Sequence, residues 1–196
     1  MRPVAIVLAA GRGERFGGSK LLAPFHGRPL IRFLLDTLCT VGELRVVVVI
    51  REGDRILERE VSGAEVAFVP AGPQSASIVA GVEAAGEAPS YLILLADQPF
   101  VDRASVESVL GAWRDGATAV LMDGGEGPQP PAVFDASLRH HLLALRGDTG
   151  AKAVALEAGA GLFVVHRERG LWMEDVDTEE DLERMERLTS KPKGTP

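Results

Sequence analysis

The 196-residue chain has one cysteine, Cys39, one tyrosine and two tryptophans, and only 5% of it is aromatic. A single thiol excludes an intramolecular disulfide and any cysteine-built zinc cage. Basic residues are outnumbered too: 21 Lys and Arg against 28 Asp and Glu, a net charge of −7. That balance argues against gripping nucleic acid or an anionic membrane through bulk charge, so neither is an expected partner. No apolar run approaches the ~18 residues needed to cross a bilayer. The opening MRPVAIVLAAG has one early basic residue and runs straight into a strand, unlike a signal peptide. With 46% apolar residues and enough length to bury a core unaided, the expectation is a cytoplasmic single domain.

What is abundant is alternation. Val4 to Leu8, Arg45 to Ile50, Val66 to Val69 and Tyr91 to Leu95 are continuous apolar runs, as strands buried on both faces would be. Between them Leu30, Ile31, Leu34, Leu35 and Leu38 recur at helical spacing after Pro29. Val79, Val82 and Ala85 follow Ser75 to Ser77, and Val106, Val109, Leu110 and Trp113 follow Asp102, a suitable N-cap. Beyond residue 115 the spacing predicts strands at 117–122, near 132–134, at 162–165 and at 171–176. It predicts helices at about 135–146, 149–158 and 178–188, the last capped by Asp177 or Thr178. The expected fold is α/β: three layers, α/β/α, around a mainly parallel, Rossmann-like sheet. One domain is expected over residues 1–188, followed by a disordered tail at 189–196.

LAAGRGERFGGSK follows the first strand. From Gly11 to Lys20 it offers four glycines, Arg12, Arg15 and a lysine. Glycines let backbone N–H groups turn toward a ligand, and the cations neutralise several phosphate oxygens at once. In open parallel sheets ligands lie beyond the carboxyl ends of the strands, where this loop must sit. A polyphosphate site is the natural reading. A P-loop needs Ser or Thr after Gly-Lys, whereas Lys20 follows Ser19 and precedes Leu21. A dinucleotide fingerprint needs a helix opening on the glycines, and KLLAPFHGRP intervenes, although Glu52 leaves that alternative open.

LAAG-x-G-x-R-x-G-x-x-K-L-L resembles the signature of nucleotidyltransferases, most nearly the molybdenum cofactor cytidylyltransferases and their MobA-like NTP transferase relatives. The likeness continues in GRPLI at 27–31, Gly72-Pro-Gln-Ser-Ala-Ser77, LLADQP at 94–99, GDTGA at 147–151 and DVDTEEDL at 175–182. The resemblance implies a single-domain enzyme that moves an NMP, CMP from CTP before GMP from GTP, onto a phosphorylated small-molecule acceptor such as molybdopterin, with Mg²⁺. It implies that the Leu8, Ala9, Ala10, Gly11, Arg12 and Gly13 backbone holds base and phosphates. Arg12, Arg15 and Lys20 would neutralise the triphosphate, with Arg15, Lys20 and Asp97 as the catalytic set. Asp97 and Asp177 would ligate Mg²⁺, with Asp175 a weaker competitor, and Asp148 and Gly150 would line the acceptor side.

Each motif also has a plain structural reading. Asp97, at the end of a buried strand, can be a turn residue before Pro99, and Asp177 a helix cap. Gly72, Ser75 and Ser77 can reach a nucleobase or cap a helix, and GDTGA can end one helix and start the next. The four histidines make no metal-ligand spacing and are expected on the surface. Cys39, beside Leu38, is expected in the core, and Trp113 and Trp172 are expected to pack. Where the resembled cytidylyltransferases carry Arg-Gly-His-Pro, this chain has Pro128-Gln129-Pro130-Pro131. The basic pair is lost on the acceptor side, leaving Arg139, Arg146 or Lys152 as sources of charge. Ala10 and Ser19 lean toward CTP, because guanylyl enzymes of this kind carry LAGG and an Asp before the lysine. A guanylyl or sugar-1-phosphate transferase, and a nucleotide-binding protein without catalysis, remain the alternatives.

Overall fold

The computed structural model describes residues 1–11, 13 and 16–190; Arg12, Glu14, Arg15 and residues 191–196 lie outside the described residues. Seven strands form one sheet in the order β5-β4-β1-β6-β8-β7-β9. They are β1 (Val4–Leu8), β4 (Arg45–Arg51), β5 (Glu65–Val69), β6 (Ser90–Leu95), β7 (Ala119–Asp123), β8 (Gln129–Asp135) and β9 (Leu162–His166). A two-stranded hairpin, β2 (Pro24–Phe25) with β3 (Arg28–Pro29), stands apart. Pairing is parallel from β5 to β6 and between β7 and β9, while β8 runs antiparallel to both its neighbours. All the sheet strands except β8 therefore end on one edge. Pro130 and Pro131 have no N–H to give the ladder, and pairing with β7 jumps from Leu121–Ala132 to Met122–Gln129 across them.

The continuous apolar runs are explained by helices on both faces. Alternate residues Ala5, Val7, Val48 and Ile50 pack with Ile31, Leu34, Leu35 and Leu38 of α1 (Ile31–Thr40) and with Val106, Val109 and Leu110 of α4 (Arg103–Arg114). Val4, Ile6, Val47, Val49 and Tyr91 face the other layer. There they meet Ile78 and Val82 of α3 (Gln74–Ala85), Leu142 of α5 (Arg139–Ala144), and Val154 and Ala155 of α6 (Ala151–Glu157). Burying each such side chain contributes about 1.5–3 kcal/mol relative to exposure. Gly81 lets α3 lie close on the sheet, because a Cβ there would overlap Ile6. A third cluster, Phe16, Phe25, Leu30, Val176 and Met185, joins the end of the glycine loop and the hairpin to α7 (Glu179–Thr189).

Four local expectations are corrected. Cys39 is exposed, because the buried face of α1 runs through positions 31, 34, 35 and 38 and the next residue points away. Residues 171–176 are not a strand: Leu171–Met173 make a 3₁₀ turn whose Trp172 indole donates to the Glu168 carbonyl at 3.0 Å. The stretch expected as one helix over 135–146 is a 3₁₀ turn, Ala136–Leu138, followed by α5. His141 is half-buried rather than surface-lying. A short helix that the spacing had not signalled, α2 (Arg55–Glu60), follows β4, with the Asp54 carboxylate accepting from Leu57 N–H as its cap. Thr189 closes α7, so the expected tail begins inside a helix.

Candidate active site

The carboxyl ends of β1, β4 and β6 lie side by side. From β1 the backbone continues through Ala9, whose N–H donates to Val49 O, into the glycine loop, and from β6 through Ala96, whose N–H donates to Leu8 O. Gly13 adopts φ +57°, and a Cβ on it would sit 3.0 Å from Gly18 O, so only glycine lets the loop fold back here. The loop then delivers Lys20 at the start of a single 3₁₀ turn, Lys20–Leu22.

Lys20 Nζ donates to Asp97 Oδ2 at 2.7 Å and to Asp177 Oδ1 at 3.0 Å. Its side chain is only 12% exposed. Burial alone would lower the lysine's pKa, but the hydrogen bonds and charges of Asp97 and Asp177 outweigh it and hold the ammonium protonated, above its ordinary value. Asp177 reaches the site because Val176 N–H donates to the Asp97 carbonyl at 2.9 Å, laying the C-terminal segment beside the end of β6. The cap of α7 is Thr178, which exchanges hydrogen bonds with Asp181 in a capping box. Asp177 is thus not the cap, and its carboxylate faces the lysine. Asp175 lies near enough that crowding by the protein, followed by the charges of Asp97 and Asp177, pushes its pKa up to about 6. Its side chain nevertheless keeps contact with solvent.

Two carboxylates converging on one positive charge are a donor set for a hard divalent cation, which takes one or two carboxylates and completes its shell with phosphates and water. Among the described residues no group of three or more His, Cys, Asp or Glu side chains is placed to hold a metal alone.

Beside Lys20 a cleft of about 220 Å³ opens between the glycine loop and the β4–α2 turn. Ala9, Gly11, Gly13 and Lys20 line it, as expected of a nucleotide loop, but so do Arg51, Asp54 and Leu57, which sequence reasoning missed. The available signal was an arginine placed directly after the apolar run VVVVI. Arg51 Nη2 donates to the Ala10 carbonyl at 3.0 Å, tying the two strand ends together.

The other expected site residues divide. Leu8 ends β1, and Ala10 and Gly11 lead from it into the loop. Arg12 and Arg15 lie outside the described residues. Gly72, Ser75 and Ser77 do not line the cleft. Ser75 is no cap either: Pro73 holds that position, and the buried Ser75 hydroxyl donates to Gly147 O at 2.6 Å. That bond draws the 72–77 turn against GDTGA. There Gly150 takes the N-cap position of α6 and lies against Gln74, while Asp148 is exposed. Of the three basic candidates for an acceptor, Arg139 donates to Gly86 O, and Arg146 donates to the carbonyls of Leu143 and Leu145. Lys152 Nζ lies beside Gly127, in the loop between β7 and β8.

The model of the MobA-like NTP transferase domain matches residues 5–160. The chain belongs to this family. It is 32% identical over 141 residues to the bifunctional protein GlmU of Pelotomaculum thermopropionicum, a match covering 69% of this chain and 30% of that protein. The chain thus spans less than a third of the length of the curated relatives it matches. A nucleotidyl transferase structure from Methanothermobacter superposes with a TM-score of 0.82 at 25% identity, over 95% of this chain and 97% of the other. Rv0371c from Mycobacterium tuberculosis superposes with a TM-score of 0.84 at 21% identity over 95% and 99%, a likeness of fold. Among the described residues no helix is long and apolar enough to cross a membrane.

Proposed function

We propose that this MobA-like domain transfers a nucleotidyl group from an NTP, CTP before GTP, to a phosphorylated cofactor precursor of the molybdopterin kind, releasing pyrophosphate. The observation that carries the reading is Lys20 held between Asp97 and Asp177 at the mouth of the glycine-loop cleft. In such a reaction an acceptor phosphate oxygen attacks the α-phosphorus, and the bond from that phosphorus to the pyrophosphate oxygen breaks. The nucleophile is already an anion, so no strong general base is needed. What is needed is positive charge against two polyanions and against the charge gathering on the leaving group.

Lys20, kept protonated, serves that need, and its double hold fixes the ammonium's position before substrate arrives. Arg12 and Arg15 are assigned to the same triphosphate by their place in the motif. The glycine-loop amides orient the phosphates, with Leu8 to Gly13 along the nucleotide. Asp97 and Asp177 would hold a divalent cation, Mg²⁺ in this reading; when bound, it supplies further neutralisation of phosphate charge. Gly72, Ser75 and Ser77 are assigned to the nucleotide, and Asp148 and Gly150 to the acceptor. The Ser75–Gly147 bond supports placing these two sets side by side.

The test is thermal stabilisation by CTP, GTP, ATP and UTP with and without Mg²⁺, followed by pyrophosphate release with molybdopterin. A ligand at about 100 times its Kd adds about 2.7 kcal/mol, readily visible as a raised Tm. A Mg²⁺-dependent shift with CTP, and pyrophosphate formed only with the acceptor, are expected. A shift with GTP alone selects the guanylyl alternative, and binding without pyrophosphate from any acceptor selects a non-catalytic nucleotide-binding protein.

A further inference from the structure

We propose that Arg51 reads the nucleobase, selecting bases that present two adjacent hydrogen-bond acceptors. The inference rests on the nucleotide reading above and adds the residue that sets its specificity. The cleft beside Lys20 is unevenly built. Its loop side carries glycine backbone and the ammonium, whereas its β4–α2 side carries Arg51, the Asp54 carboxylate and Leu57. A carboxylate in that wall repels a polyanion, and Ala9, Leu21 and Leu57 add apolar surface. The wall therefore suits the flat, uncharged end of a nucleotide, with the phosphates toward Lys20.

Arg51 is incompletely bonded. Nη2 is fixed on Ala10 O and Nε is shut away from solvent with no acceptor among the described residues, so the donors it can offer a ligand are the terminal ones, Nη1 and the second N–H of Nη2. The end of the guanidinium presents these N–H groups as a rigid fork with no acceptor of its own. A fork of donors matches two acceptors side by side. Cytosine has O2 beside N3, and guanine has O6 beside N7. In uracil an N–H separates the two carbonyls, and in adenine N1 and N7 each adjoin the amino group. The same logic makes arginine the commonest reader of guanine in nucleic acids.

The test is isothermal titration of wild type, Arg51→Lys and Arg51→Met with CTP, GTP, UTP, ATP and tripolyphosphate, with Mg²⁺ present and the fold of each variant checked by melting. Wild type should prefer CTP or GTP, and which of the two names the base. Arg51→Met should weaken that nucleotide by about 5- to 150-fold while UTP, ATP and tripolyphosphate change by less than about 3-fold. Arg51→Lys, with a point charge in place of the fork, should lose part of the preference, and it carries the test if the methionine variant does not fold. An equal loss for every ligand, tripolyphosphate included, assigns Arg51 to the phosphates or to loop bracing and overturns the proposal. So does an unchanged preference, or a wild type that prefers UTP or ATP. Wild type that binds no nucleotide overturns the parent reading instead.

Discussion

Replacing Lys20 with methionine keeps most of the side chain's length and removes its charge. In the folded protein this deletes two charge-assisted hydrogen bonds, of 2.7 Å to Asp97 and 3.0 Å to Asp177, and leaves those carboxylates facing each other. The contacts are unequal, because Asp97 is 26% exposed and Asp177 45%. A partly buried charged hydrogen bond contributes about 1.5–3 kcal/mol, and a solvent-screened one adds less than about 1 kcal/mol. Against this, the variant no longer buries an ammonium. The net expectation is a loss of about 2 kcal/mol, which for a domain of this size is about 4–8 °C in Tm. The carboxylates, no longer neutralised, should then gain more from Mg²⁺ than they do in wild type. Melting wild type and Lys20→Met across a Mg²⁺ titration measures both effects, and nucleotidyl transfer should fall by at least 10²-fold. If the variant melts within 1 °C of wild type and responds no more strongly to Mg²⁺, the three side chains do not form the electrostatic unit described.

Three further outcomes follow from other parts of the molecule. Gly81→Ala should destabilise by about 3 kcal/mol in urea denaturation, since its Cβ would overlap Ile6 Cγ2 and lie 2.9 Å from Val49 Cγ2; a loss under 1 kcal/mol would show that α3 can lift freely. Gly13→Ala should weaken nucleotide binding by 10-fold or more and lower Tm by about 2–8 °C, because strain of about 1–2 kcal/mol falls on the backbone beside Lys20; unchanged binding would place the nucleotide elsewhere. Asp102 accepts from both terminal nitrogens of Arg167, at 2.7 and 2.8 Å, and from Ser105; chiefly the arginine holds its pKa well below the usual carboxylate range. A depressed carboxylate stabilises the fold above its unfolded pKa and loses that contribution as pH falls toward its folded one. Asp102 is 47% exposed, so solvent screens the pair, and Asp102→Asn should cost about 1 kcal/mol at pH 7, with the gap from wild type narrowing below about pH 4. A gap independent of pH would rule out this ion pair as the cause.

The layered fold was legible because strands buried on both faces have nowhere to put a polar residue. YLILL therefore announces a central strand, and Asp97, the charge just beyond it, marks the edge where the candidate site lies. The parallel order around β1 follows from helices between strands. The reversal at β8 is less visible, since a strand of seven residues with three prolines nearby looks much like a loop. Cys39 failed because one step along a helix turns a side chain by about 100°, so a leucine neighbour says little about burial. Residues 171–176 failed because Trp172 and Met173 are buried by a turn pinned to neighbouring elements, which hydropathy cannot tell from a strand. Individual candidate residues could be picked out of their motifs, but their contacts could not. Lys20 meets partners 77 and 157 residues away, and Arg51 gains meaning only when the β4–α2 turn faces the glycine loop.

The Phe16–Phe25–Leu30–Val176–Met185 cluster bears on how the protein is born as well as how it is held. Synthesis delivers β1 and the glycine loop first of the elements described, with β4 and β6 soon after. Asp177 and the helix behind it emerge last of the described elements, beyond residue 160 where the family match ends. Until that segment leaves the ribosome, Phe16 and Phe25 lack the Val176 and Met185 side of their cluster and Lys20 lacks its second carboxylate. A nascent chain halted near residue 160 therefore carries the loop and every sheet strand but β9, while the second carboxylate on Lys20 comes from a segment made after all of them.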